Sequence, residues 1–272
     1  MENNVKKCQT DIMPISEDKE KDGFVLTNPE KKLCANTHVV LYSGGVDSTI
    51  LLDMVRRTIA RSGDNVIPIY FDLCQPYSET EKRHLGSSVR VDNRLSWLGT
   101  ADESSPIPIV SLRNIFMVLL AATMGNKIYL GQLHPLSEST SDGDRLFVGL
   151  TSLLLQKIAS DPRHGLVYPE VFTPLSEYSK AQSVHRYLAS GGDPQSLLRS
   201  FSCFRPVDDT PCGNCNACIN RYVALKLNKL ESGTSYVANP ETSPLYSFEI
   251  QRQATTLWTP YPKSQPMSDL LT

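Results

Sequence analysis

The sequence predicts an α/β fold, a Rossmann-like parallel sheet with helices on both faces, followed by a small cysteine-rich segment towards the C-terminus. Three observations lead there. Short apolar runs alternate with stretches whose apolar residues recur at helical spacing, the pattern of strands covered on both sides. A turn reading Ser43-Gly44-Gly45-Val46-Asp47-Ser48 sits directly behind the first apolar run. Four of the seven cysteines, Cys203, Cys212, Cys215 and Cys218, fall close together late in the chain.

Taken in order, residues 1–35 are rich in Lys, Glu, Asp and Asn and show no sustained periodicity, which predicts a flexible N-terminal extension. A main domain spans 36–200. Its first strand is expected at 38–41 and its first helix at 48–59, where Ile50, Leu51, Met54, Val55 and Ile59 share a face. A second strand is expected at 65–71. From 78 to 98 the chain reads as helical, opening on Ser78 with Glu81 at capping-box spacing, and then runs to a third strand at 107–110. A buried helix at 114–124, a strand at 127–130 and an amphipathic helix at 146–159 follow. The cysteine segment occupies 201–232. Residues 233–272, rich in Pro, Ser and Thr, are expected to form an extended tail.

Composition narrows the function classes. At 272 residues and 40% hydrophobic, the chain can build a sizeable core. A formal net charge of −2 argues against a broad basic face, so no direct grip on nucleic acid is expected. No apolar run reaches the roughly 18 residues of a membrane span, and the N-terminus lacks the apolar core of a secretory leader. A cytoplasmic location is the expectation.

The glycine turn has a direct physical use. Gly44 and Gly45 allow close backbone approach, successive N–H groups form a nest for anionic oxygens, and the following helix adds its positive end. Ser43 and Ser48 offer hydroxyls to the same phosphates, and Asp47 can orient the loop or hold Mg²⁺. No Lys-Ser/Thr pair follows the glycines, so this is not a Walker sequence. The SGGVDS stretch resembles the pyrophosphate loop of the N-type ATP pyrophosphatases, which cleave ATP to AMP and pyrophosphate and leave AMP on an oxygen of the substrate. That resemblance implies an adenine nucleotide α hydrolase-like sheet and an ATP site at Ser43 to Ser48, with Tyr70 and Phe71 beside it.

In Cys203-x8-Cys212-x2-Cys215-x2-Cys218 four thiolates lie within reach of one tetrahedral Zn²⁺, with Gly213 and Asn214 supplying the tight turn. Four sulfurs leave no open position, so the role read for the metal is structural. An Fe–S cluster is the alternative metal reading. Cys74 lies in a loop after a strand, where a small buried side chain or a sulfur carrier both remain open.

Loop and cluster together resemble the 7-cyano-7-deazaguanine synthase (QueC) family over about 38–222. Tyr70-Phe71-Asp72 followed by Glu79, Lys82, Arg83 and His84 is similar to that family's GQRH segment, with looser spacing and Gln75 as a loose equivalent of the glutamine. Arg113-Asn114 is similar to its GRN element, residues 174–180 to its P-L-x4-K element, and Ser202-Cys203, PCGNCNAC and Arg221 to its zinc segment. After Gly131 the chain departs. The family's Tyr-Pro-Asp-Cys-Arg run is replaced by GQLHPLSESTSDGDRLF, in which Asp142, Asp144 and Arg145 survive.

The resemblance implies an ATP-dependent ligase using ATP, Mg²⁺ and Zn²⁺, with ammonia and a deazapurine acid as partners, and a homodimer. Asp47, Ser48, Arg113 and Lys180 would serve catalysis, while Asn114, Asp142, Asp144 and Arg145 would hold the substrate. Lys180 reads either as a cation for the phosphates or as a solvated helix residue. The aspartate pair reads either as a cradle for a guanine-like N–H edge or as a solvated loop. His84 reads as a proton shuttle or a structural histidine. Rival functions are adenylation towards another acceptor, a tRNA thiolase, and nucleotide binding without catalysis.

Overall fold

The computed structural model describes residues 37–60, 62–99, 110, 112–133, 145–159, 169–230 and 233–257, with backbone only for Arg145 and Leu257. Five strands run as β1 (Thr37–Leu41), β2 (Asn65–Phe71), β3 (Arg90–Asp92), β4 (Lys127–Tyr129) and β5 (Glu170–Phe172), all parallel, in the order β3-β2-β1-β4-β5. The helices are α1 (Val46–Ile59), α2 (Ser78–Arg83), α3 (Arg113–Ala122), α4 (Arg145–Ala159), α5 (Lys180–Ala189), α6 (Pro194–Arg199), α7 (Asn216–Leu227) and α8 (Pro244–Leu257).

β1 is the middle strand and every residue of it is buried, as its uninterrupted apolar run requires. Its alternate side chains feed two cores. Val40 packs with Ile50, Leu51 and Val55 of α1 and with Val184, Leu197 and Leu225 of α5, α6 and α7. Val39 and Leu41 pack with Ile69, Phe71, Ile128 and with Val118 and Ala121 of α3 on the opposite face. The expected α/β sandwich with helices on both faces is thus present. Pro68 sits inside β2, opposite Val40. It is tolerated because β3 pairs only from Ile69 onward, so at Pro68 one side of β2 needs no backbone N–H.

Three expectations are corrected. The helix opening at Ser78 ends at Arg83, and the third strand is Arg90–Asp92; of the expected strand at 107–110 only Val110 is described, and it is not in a strand. Arg-Val-Asp has a single apolar residue, so its strand state comes from pairing with Ile69–Phe71. Ser78 is not a cap, because Tyr77 occupies that position; the Ser78 hydroxyl instead accepts from the Gln75 backbone N–H at 2.9 Å. A capping box does occur, at Ser179 and Gln182, opening α5. Finally, part of the supposed extended tail is α8, which packs on α7 and buries Glu249 and Gln253. Gln253 Nε2 donates to the Asn220 carbonyl at 3.1 Å, and Arg252 pairs with Glu249. The helix is held by polar partners that a hydrophobic pattern does not register.

Candidate active site

The order β3-β2-β1-β4-β5 places the switch point at the carboxyl ends of β1 and β4, where open parallel sheets bind ligands. Ser43–Ser48 emerges there. Gly44 takes φ +78°, a left-handed turn that L side chains adopt at a cost. Gly45 is the N-cap of α1 and carries no side-chain cap, so the amides of Val46, Asp47 and Ser48 in the first turn lack helix partners. Val46 is fully buried and anchors the turn in the core. Ser48, also buried, donates its hydroxyl to the Gly45 carbonyl at 3.1 Å and accepts from the Ser43 N–H at 3.2 Å, bracing the loop. Ser43 is exposed and lines the cavity.

The loop is also held from behind. The Phe201 N–H donates to the Gly44 carbonyl at 2.9 Å, and a Cβ on Gly45 would meet Ser202 Oγ at 3.2 Å. At the β4 end, a Cβ on Gly131 would meet Asp47 and Ser48 at 3.4–3.5 Å. Lys180, first residue of α5, places Nζ 2.6 Å from Asp47 Oδ2, both groups being mostly buried. The solvated reading of Lys180 is therefore set aside. Asp47 Oδ1 is buried and has no partner among the described residues. An orphaned carboxylate oxygen beside an anion nest fits a divalent cation, and Asp47 is the residue that would hold Mg²⁺.

A cavity of about 340 Å³ opens from this loop. Its far wall brings together Tyr70 of β2, Gln75 of the β2–α2 turn and Glu81 of α2 with Arg113 and Asn114 from α3. Phe71 also lines it. The Tyr70 hydroxyl donates to Glu81 Oε2 at 2.8 Å. Burial pushes the Glu81 carboxyl up to about 7, against the opposing effects of the Tyr70 hydrogen bond and the Arg113 charge. Burial likewise raises the Tyr70 phenol above its ordinary range, with the Glu81 charge adding to it. Arg113 Nε donates to Asn114 Oδ1 at 3.2 Å. Leu112, just before them, is a left-handed non-glycine residue at φ +59°, the sort of strained turn that collects at functional loops.

Not every residue singled out in the sequence reaches this cavity. Glu79 and Lys82 pair with each other, Lys82 also reaching Asp72 at 2.7 Å, and Arg83 pairs with Asp209. His84 stacks on Phe201 with ring centroids 4.3 Å apart, behind the loop, and burial lowers its pKa. Cys74 is half-buried at φ +54° and disulfide-bonded, so neither reading of it as a free thiol holds. Asp142 and Asp144 lie outside the described residues, as does the side chain of Arg145. Sequence reasoning passed over Glu81, taken as a helix cap, and gave Gln75 no role. No helical spacing links them: Gln75 lies in the turn before α2 and Glu81 inside the helix, so the packing of that turn brings both to the cavity.

The four cysteines of the C-terminal segment are buried, with every pair of sulfurs within 4.8 Å. That spacing fits four thiolates on one Zn²⁺ with bonds of about 2.3 Å. Gly213 takes φ +81° between them. Hydrogen bonds from Cys203 and Cys218 lower the Cys215 thiol strongly, while its bond to Cys215 raises Cys203 to about 12. The cluster also packs with Phe201, the residue that backs the loop. Arg221 lies fully buried beneath it, donating to Ser200 Oγ, Tyr236 Oη and the Leu198 carbonyl.

A parallel sheet of this order, with SGGVDS at the switch point, defines a Rossmann-like protein of the PP-loop type. The profile of the family described as Queuosine biosynthesis protein QueC matches residues 79–229, and the chain belongs to that family. It is similar to 7-cyano-7-deazaguanine synthase of Methanopyrus kandleri, 26% identical over 234 residues, covering 74% of this chain and 99% of that one. The synthases of Rickettsia akari and Rickettsia felis are each 37% identical over 68 residues, a stretch covering 25% of this chain and 29% of theirs.

Proposed function

We propose that this chain is an ATP-dependent ligase that adenylates 7-carboxy-7-deazaguanine and, with ammonia, converts it to 7-cyano-7-deazaguanine. The observation that carries the reading is the uncapped start of α1 behind the left-handed Gly44: Ser43, Gly45, Asp47 and Ser48 of that turn line the cavity, and Asp47 pairs there with Lys180. The family membership and the names of the relatives support it.

A carboxylate is a poor electrophile because its oxygen leaves badly. Attack of that oxygen on the α-phosphate of ATP forms an acyl adenylate and releases pyrophosphate into the nest at 43–48. Lys180, held 2.6 Å from Asp47, and Arg113 supply positive charge to the departing phosphates. Mg²⁺ on Asp47 would neutralise phosphate charge. Ammonia then displaces AMP and yields the amide. A second ATP activates the amide oxygen in the same way, and loss of AMP and the remaining N–H protons leaves the nitrile. The zinc segment has a supporting role in this scheme, through the Phe201 contact to Gly44. An exposed apolar stripe on α4, including Leu146, Leu150 and Leu153, supports a homodimer.

A second reading keeps the adenylation and changes the acceptor; the departure of residues 132–145 from the family's run after Gly131 favours it. Incubation with ATP and the deazapurine acid, with and without ammonia, followed by mass spectrometry, tests both. A nitrile in the ammonia tube supports the first reading, a persistent adenylate without nitrile the second. Absence of pyrophosphate in every tube removes both.

A further inference from the structure

Gln75 is the most unusual polar residue of the cavity wall. It is only 6% exposed, yet neither Nε2 nor Oε1 has a hydrogen-bond partner among the described residues. A buried amide left unpaired on both atoms is costly, which points to a ligand that completes it. Its backbone is clamped to the start of α2: Gln75 N–H donates to Ser78 Oγ and its carbonyl accepts from Ser78 N–H, both at 2.9 Å. Glu81, within α2, lines the same cavity. The Tyr70 hydroxyl donates to its Oε2 at 2.8 Å.

We infer that Gln75 and Glu81 together read the polar edge of a guanine-type ring, the amide donating to the ring carbonyl while amide oxygen and carboxylate accept the two adjacent N–H groups. This rests on the proposed deazapurine substrate and specifies which wall holds it. The row of groups is donor, acceptor, acceptor, the complement of a guanine-type edge. An adenine edge has no third N–H for the carboxylate, so the pair discriminates against the base of ATP. In this chain the role falls to the β2–α2 wall.

The test uses zinc-loaded full chain and calorimetry with three probes: 7-deazaguanine, 7-deazahypoxanthine (which lacks the 2-amino group) and ATP. Wild type is expected to prefer 7-deazaguanine over 7-deazahypoxanthine by about tenfold or more, the worth of one hydrogen bond to a charged group. Glu81→Gln should flatten that preference to near one. Gln75→Leu should weaken both ring probes roughly tenfold or more while ATP affinity stays within about twofold. A wild type that does not distinguish the two bases overturns the inference, without any variant needing to fold. So does a loss that falls on ATP instead. Because 7-deazaguanine has no carboxylate, base discrimination without pyrophosphate release would leave this wall standing and remove the adenylation. Pyrophosphate release from the acid with an unaltered KM in both variants would do the reverse.

Discussion

Gly213→Ala tests how tightly the turn between the clustered cysteines is constrained. Gly213 has φ +81°, and a Cβ there would lie 1.9 Å from the Ala238 carbonyl oxygen and 3.0 Å from Tyr236 Cβ. The left-handed backbone alone costs an alanine about 1–2 kcal/mol. To clear the oxygen, residues 236–238 must move away, and they are tied down. Val237 N–H donates to the Pro211 carbonyl at 3.0 Å and Ala238 N–H to the Cys212 carbonyl at 3.1 Å. Losing both bonds adds about 2 kcal/mol, for a total of about 3–4 kcal/mol. Gly63→Ala is the internal control: φ is +74° there, with nothing within 4 Å of the new Cβ. It should lose only the backbone term, about 1–2 kcal/mol. Urea unfolding of the two zinc-loaded variants measures the difference, expected near 2 kcal/mol with matching m-values. Equal losses in both variants would refute the steric argument, and a stable Gly213→Ala with full zinc would refute the turn's role.

Other outcomes follow from the site. Lys180→Met should cut the pyrophosphate release rate by roughly 10²–10³, measured by a coupled phosphate assay; a rate within threefold of wild type would remove Lys180 from the phosphate site. Glu81, raised to about 7 from 4.5, holds a proton in the folded state across that window while the unfolded chain has lost it. Its contribution to stability is therefore lost as pH rises from 4.5 to 7, so wild type should lose on the order of 2 kcal/mol relative to Glu81→Gln over that range. Urea titrations at the two ends check the sign, and parallel pH profiles would contradict it. Cys215→Ser should lower bound zinc below one per chain by atomic absorption and reduce pyrophosphate release with it, since the cluster packs against Phe201 behind the loop. Unchanged release from zinc-free protein would separate the metal from the loop.

Much of this was legible in one dimension. β1, α1, β2, α3 and β4 stand where apolar periodicity put them, because each owes its state to burying a face that its own residues define. SGGVDS and the cysteine spacing marked the turn before α1 and the four-sulfur cluster, since both are local in sequence. β3 was not legible, being three residues whose strand state depends on a partner edge. Nor was α8, whose polar contacts to α7 through Asn220 outweigh a composition typical of tails.

The chain's order of residues, then, determined β1, β2 and β4, the glycine turn and the cysteine cluster, all features set by neighbours within a few turns. Only tertiary structure brought Lys180 to Asp47, 133 residues away, and laid Phe201 behind Gly44. It also decided that Gln75 and Glu81 face one cavity with Arg113. Such convergence depends on how separate elements pack, and burial then gives those polar groups a chemistry that their identity alone does not.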